Sequence, residues 1–338
     1  MLERYFKIES GERLAVNWLA RSLPAGIAEI EAAATDELWD ANRKGIETMR
    51  AVLDAPADRT LEPAEPGLLD VKVELARRML ESCVCCERRC GVDRTEGKTG
   101  FCGATAESRY SSDFLHMGEE PELVPSHTIF FTGCTFECVY CQNWDIAMNA
   151  LSGLRAEPAM LAAVLQEGVS QGSRNANFVG GNPDPHLWTI LETVRLTGPV
   201  ARALPMVWNS NMFTSSEAME LLNGVIDVYL GDFRYGNDVC AEEFSGVRGY
   251  WDVVSRNFAY AFETAEVMLR HLVLPGHLEC CTRPIMEWVS ENMPGAYFNL
   301  MFQYRPEYKA GLFPTIDRRL TPEERSKALA MASEYGLA

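Results

Sequence analysis

From His127 onward the chain alternates short β-branched or apolar runs with helical segments, and this alternation limits its fold more than any other feature. The strand candidates are 128–132, 176–179, 205–209, 225–230, 266–273 and 298–302. The helix candidates between and after them are 158–171, 185–197, 215–223, 250–264, 284–291 and 321–335. Several helices open on a recognisable start signal. Ser215 and Thr321 offer a hydroxyl to the N–H groups of the first turn, and Pro322, Glu323 and Glu324 follow the second. Apolar strands that alternate with helices bury themselves by lying parallel, with the crossover helices covering the sheet. Six units are too few to close an eight-stranded barrel. The expected architecture is therefore α/β, an open (β/α)6 partial TIM barrel, with functional groups at the C-terminal ends of its strands.

Upstream, the pattern is different. Residues 1–80 read as a helical N-terminal region, in which Ile27, Ile30, Leu38, Trp39, Ile46, Met49 and Val52 recur at helical spacing. Pro56, Pro63 and Pro66 mark 54–66 as a linker or surface turn, and a helix over 68–81 leads into a cluster of cysteines. Residues 81–126 form a Cys-rich metal-binding segment and 127–338 the partial barrel. No internal repeat or low-complexity tract interrupts this order.

Composition narrows the partners. At 338 residues and 47% hydrophobic, the chain can bury a substantial core. Its formal net charge of -17 repels phosphate backbones, so no nucleic-acid partner is expected. No run of about 18 apolar residues is present, so no membrane partner is expected either. The first residues carry Glu3, Arg4, Lys7 and Glu9 with no apolar stretch of the kind an export signal needs, which points to a cytoplasmic location. In a reducing cytosol, clustered cysteines bind metal or perform redox work rather than forming disulfides. The chain has 11 cysteines, eight of them between Cys83 and Cys141.

Directly after the first strand candidate comes Cys134, then Cys138 and Cys141, a C-x3-C-x2-C spacing with Tyr140 before the last cysteine. Thiolates suit iron–sulfur clusters or zinc. A closed zinc site takes four ligands, and so does a fully protein-bound [4Fe-4S] cluster. Three local cysteines leave one iron open to a substrate or cofactor.

This motif resembles that of the radical S-adenosylmethionine (radical SAM) superfamily. The segments 115–121, 228–235, 270–276 and 303–306 extend the likeness to the subgroup resembling pyruvate formate-lyase activating enzyme, in its archaeal form, over about 83–338. The resemblance implies a [4Fe-4S] cluster on Cys134, Cys138 and Cys141, with S-adenosylmethionine (SAM) chelated to the open iron through its amino and carboxylate groups. Reductive cleavage then gives methionine and a 5'-deoxyadenosyl radical. Tyr140 is expected near the adenine or the cluster. The family's Gly-Gly-Glu motif for the SAM amino group has a near match in Gly180, Gly181 and Asn182, where an uncharged amide replaces the carboxylate. The remaining polar strand ends, Asn209, Ser210, Asn211, Asp232, Arg234, His271 and Gln303, are further site candidates, with Asn209, Asp232 and His271 foremost as cofactor contacts. Phe178, Trp208, Met301 and Phe302 read as core.

The upstream cluster offers Cys83, Cys86, Cys90 and Cys102 as a second four-thiolate site, with Cys85 competing with Cys86. Zinc and an auxiliary [4Fe-4S] cluster both fit four cysteines. Cys240 reads as a small core thiol. Cys280 and Cys281, after His271 and His277, could quench a substrate radical or ligate a metal.

The resemblance implies hydrogen abstraction from a protein or peptide substrate, with a one-electron donor such as a ferredoxin or flavodoxin. A glycyl-radical activase is one version. Cobalamin-dependent C-methylation of glutamine in methyl-coenzyme M reductase is another, although no segment is a recognisable cobalamin module. An iron–sulfur electron carrier without catalysis and a zinc-stabilised binding module are the competing classes. The N-terminal helices are candidates for a substrate- or partner-docking platform.

Overall fold

The computed structural model describes residues 2–337. One eight-stranded sheet organises it, in the order β3 (Leu154–Arg155), β1 (Arg109–His116), then β2, β4, β5, β6, β7 and β8. Six strands run parallel: β2 (Ser126–Phe131), β4 (Asn175–Gly180), β5 (Met206–Ser210), β6 (Val228–Asp232), β7 (Glu266–Leu272) and β8 (Tyr297–Met301). These are the six expected from sequence. The crossovers are α6 (Pro158–Ser170), α7 (Leu187–Leu196), α8 (Ser216–Leu222), α10 (Tyr250–Thr264) and α11 (Arg283–Asn292), and α12 (Pro322–Glu334) closes the chain. The outermost strands β3 and β8 do not pair with each other, so the barrel is open at one side.

Three features depart from the expectation. β1 (Arg109–His116) and the two-residue β3 (Leu154–Arg155) form an antiparallel edge that the alternation does not announce. β1 carries Ser111, Ser112 and Asp113 and is mostly half-buried, so it lacks the apolar run of an interior strand. The sheet thus begins inside the Cys-rich segment. β6 starts later than 225, because Val225 and Ile226 both donate to Leu222 O and finish the turn after α8. They are apolar because they are buried, not because they are extended. Finally, α9 (Asp238–Ser245), capped by the Asn237 side chain on Cys240 N, and a π-helical turn at Leu278–Thr282 follow β6 and β7.

The two faces of the sheet bury different things. Ile129, Phe131, Phe178, Trp208, Tyr229 and Leu269 point outward into the core beneath the helices. Val207, Val228, Leu230 and Met268 pack inward against Leu2, Tyr5 and Leu123. The first helix, α1 (Glu3–Glu9), therefore plugs the end of the barrel where the strands begin. The Glu266 carboxylate accepts from Arg4 N and Tyr5 N at 3.0 and 2.7 Å, which satisfies orphan N–H groups of the first turn. The Tyr5 hydroxyl accepts from Asn175 Nδ2 at 2.9 Å. Behind it, α2 (Val16–Ser22) is pinned by Asp227, whose two oxygens accept from Val16 N and Met206 N. α3 (Thr35–Val52) and α4 (Leu68–Arg78) complete the layer, with α4 packed on α7 and α8. No helix among the described residues is long and apolar enough to cross a membrane.

Candidate active site

β2 ends at Phe131, and Gly133 then turns the chain with φ +81°. A Cβ there would lie 2.7 Å from Cys102 O, so the turn is tight against the upstream Cys-rich segment. The loop that follows carries Cys134, Cys138 and Cys141. It is held from behind by α9, where Glu137 N donates to Ser245 O at 3.1 Å and Val139 N to Phe244 O at 2.8 Å. Asn182 N donates to Gly133 O at 3.0 Å from the side of β4.

Donors converge on the sulfurs. Phe136 N lies 3.4 Å and Asn211 Nδ2 3.9 Å from Cys134 Sγ, and the Ser245 hydroxyl lies 2.9 Å from Cys138 Sγ. Burial pushes the Cys134 thiol well up, with Cys138 and Cys141 adding to it. Burial and then Cys138 push Cys141 up to about 11. Such thiols ionise when a cation compensates them. The three sulfurs are spread more widely than a single-ion site, since among the described residues they do not all fall within 4.8 Å of one another. A zinc ion at about 2.3 Å from each thiolate would hold them about 3.8 Å apart. A donor set of three spread, hydrogen-bonded cysteines fits a polynuclear iron–sulfur centre with one iron left free.

A cavity of about 260 Å³ opens beside Cys141, lined also by Tyr140, Gly180, Gly181, Asp232 and Arg270. Gly180 has φ +122°, and a Cβ on Gly181 would be 2.1 Å from Gly133 O. The glycine pair thus lets the end of β4 run against the cysteine loop. On the opposite wall Asp232 accepts from Arg270 Nε at 2.8 Å and also pairs with Arg234. Burial works to raise this carboxyl, but Arg270 and Arg234 outweigh it and hold it below its usual range. Arg270 also donates to Asn209 Oδ1 at 2.6 Å and reaches Glu119 Oε2 at 3.4 Å.

The sequence-derived candidates divide accordingly. Tyr140, Cys141, Gly180, Gly181 and Asp232 share the cavity. Met301 also lines it, and so is not the core residue expected. The Tyr140 hydroxyl donates to Tyr235 Oη at 2.7 Å, which fixes the ring. Asn182 is buried, with its carbonyl accepting from Asn211 N at 3.1 Å and its NH2 3.4 Å from Thr135 Oγ1, so its side chain braces the cysteine loop. Asn209 is engaged by Arg270 and Glu119. His271 faces away from the cavity. Its Nδ1 lies 2.7 Å from Phe233 O and its Nε2 2.9 Å from Thr282 Oγ1, leaving no nitrogen free for a ligand. Glu119 and Ser245 were not singled out beforehand. They arrive from a turn before β2 and from the end of α9, and nothing local in the sequence marks where they point.

Cys83, Cys86 and Cys102, with Cys85, lie around Arg94, which is fully buried and has no carboxylate partner among the described residues, and Cys90 lies beside Cys83 with its Sγ 3.9 Å from Cys83 O. Arg94 donates to Ala104 O, Pro185 O and, at 3.6 Å, to Cys102 Sγ. Burial opposes its charge, while Cys85, Cys102, Cys83 and Cys86 support it. A buried cation among thiols fits an anionic metal–thiolate centre.

The strand-end cysteine loop and the glycine turn beside it define a partial-barrel protein with a cysteine-lined cavity at its strand ends, and comparison places it further. The family model described as the radical SAM superfamily matches residues 128–289. The protein named "Uncharacterized protein MJ0674" of Methanocaldococcus jannaschii is 45% identical over 317 residues, 92% of this chain and 91% of that one. The chain belongs to the radical SAM superfamily. Streptococcus suis SuiB bound to precursor peptide SuiA shows 13% identity and a TM-score of 0.44, over 60% of this chain and 43% of that one. SuiB bound to S-adenosylmethionine shows 13% identity and 0.43, over 60% and 45%. The chain spans less than half the length of SuiB.

Proposed function

We propose that this enzyme holds a [4Fe-4S] cluster on Cys134, Cys138 and Cys141 and directs a 5'-deoxyadenosyl radical at a C–H bond of a protein or peptide. When bound, the cluster supplies one electron for reductive cleavage of SAM at its open iron. The observation that carries this reading is the shared cavity of Cys141 and the Gly180–Gly181 turn.

The chain's own residues orient and tune. Phe136 N, Asn211 and Ser245 direct N–H and O–H groups at the sulfurs. Gly180 and Gly181 let backbone approach a ligand without a side chain between. Asp232, Arg234 and Arg270 supply charges of both signs to a ligand that is itself cationic and zwitterionic. Tyr140 lines the cavity and packs edge-on against buried Tyr304, with ring centroids 5.7 Å apart, which holds its ring in place.

A macromolecular substrate is supported by the unpaired sheet edges and by exposed Phe114 and Met117 on and beside β1, where a peptide could lie. The upstream cysteines serve an auxiliary metal centre, and a ferredoxin or flavodoxin supplies the electron. Eleven unpaired thiols suit a reducing cytoplasm. An electron carrier needs no such cavity beside its cluster.

Anaerobic reconstitution with iron and sulfide, then reduction with SAM, tests the proposal. Wild type should release 5'-deoxyadenosine and Cys141→Ala none. Methyl transfer that depends on added cobalamin would assign the methyltransferase version, and a protein-bound glycyl radical the activase version. No deoxyadenosine from a fully loaded cluster would refute the enzymatic reading.

A further inference from the structure

A second group of ligand-type side chains lies outside the cavity. Cys240 on α9, His277 in the turn after β7, and Cys280 and Cys281 in the π-helical turn converge from positions that sequence places far apart. Their ligand atoms all lie within 4.8 Å of one another, and no other such set of three or more occurs among the described residues. His277 Nδ1 is 3.6 Å from Cys240 Sγ and 3.3 Å from Cys280 Sγ. Cys280 Sγ is 3.9 Å from Cys240 Sγ and 4.0 Å from Cys281 Sγ. A tetrahedral zinc ion with bonds of about 2.3 Å to sulfur and about 2.0 Å to nitrogen spaces its ligands by about 3.5–3.8 Å.

We infer that Cys240, His277, Cys280 and Cys281 bind one zinc ion in a closed Cys3His site. The backbone is shaped for it. Cys281 N and Thr282 N both donate to His277 O, at 2.9 and 3.3 Å, and this widened turn brings the adjacent Cys280 and Cys281 to the same point. A Cβ on Gly236 would lie 2.7 Å from both Cys280 O and Cys281 O, so glycine is what lets the strand-end loop approach. Asn237 Nδ2 points at the sulfurs, 3.4 Å from Cys240 Sγ and 3.9 Å from Cys281 Sγ, as an outer-layer donor to thiolates does. Among the described residues the imidazole has no hydrogen-bond partner other than the thiols, and its Nε2 is unpartnered. The close spacing selects a single soft-ligand ion over a cluster.

The site fastens α9. The same helix carries Cys240 near its start and, near its end, the Phe244 and Ser245 carbonyls that hold the catalytic cysteine loop. Zinc here is a clamp behind that loop, not a participant in its chemistry.

The test compares metal content of the reconstituted full chain with that of Cys280→Ala, whose residue is at the surface of the site. Wild type should carry about one more zinc per chain than the variant, at unchanged iron. Equal zinc in the two, or iron falling in step with the substitution, overturns the assignment. A measurement on wild type alone guards against a variant that fails to fold. Peptide-mapped alkylation of the native chain should leave Cys240, Cys280 and Cys281 unlabelled until a chelator releases zinc, and then label them together. Prompt labelling of exposed Cys280 without chelator refutes the site.

Discussion

The Ser245 hydroxyl donates to Cys138 Sγ at 2.9 Å, joining residues 107 positions apart. Hydrogen bonds to cluster sulfurs stabilise the extra negative charge of the reduced state and raise its potential. Ser245→Ala should therefore bind the same iron as wild type and show a more negative reduction potential in a redox titration followed by electron paramagnetic resonance. An unchanged potential would show that Cys138 is not a cluster ligand in the manner proposed.

At the other wall of the loop, Gly181 leaves no room for a side chain, since a Cβ would meet Gly133 O at 2.1 Å. Gly181→Ala should cost roughly 1–3 kcal/mol by overpacking and reduce iron uptake on reconstitution. Gly311→Ala is the control, because its nearest neighbour would be 3.6 Å away. Thermal unfolding and iron analysis of both variants check this; a Gly181→Ala protein that melts and loads like the control would contradict the close approach.

Arg270 bonds Asp232 and Asn209 and reaches Glu119 from a mostly buried position. Arg270→Met leaves the Glu119 carboxyl without its cation and should cost about 3–5 kcal/mol in denaturant unfolding at neutral pH. Adding Glu119→Gln should recover part of that loss. If the double variant is as unstable as the sum of the two single ones, the two groups are not coupled.

Lys72 is fully buried on α4, donating to Asn42 Oδ1 at 2.7 Å, and burial lowers its pKa from 10.5 to about 7. Between those values the unfolded chain binds a proton that the folded chain does not, so stability should rise with pH from about 7 toward 10.5. Below about 7 both states are protonated and the full cost of burying the charge is present. Lys72→Met should flatten the rise of unfolding free energy over this window. A slope equal to wild type would place the lysine's charge in solvent.

The helices α3, α4 and α6 and the six parallel strands were legible because each repeats a burial pattern within a few residues, at a period of 3.6 or as a continuous apolar run. The same locality made Cys134, Cys138 and Cys141 readable, since their spacing is set by one loop. β1 was not legible because it is mostly half-buried near the sheet edge and its sequence, with Ser111, Ser112 and Asp113, carries no continuous apolar run. α9 left a signal, Asn237 followed by Asp238 ahead of Cys240, Ala241 and Phe244, that a search for cap residues would have found.

The sequence by itself determined the six parallel strands of the sheet and the loop that carries the three cysteines. Only the tertiary structure decided that α1 fills the barrel floor, that His271 turns outward to Thr282 and Phe233 while Arg270 turns in, and that Cys240 meets His277, Cys280 and Cys281. Local periodicity tells whether a side chain is buried. Which partners it is buried against is set by how distant segments close on one another, and a single strand or helix carries no record of that.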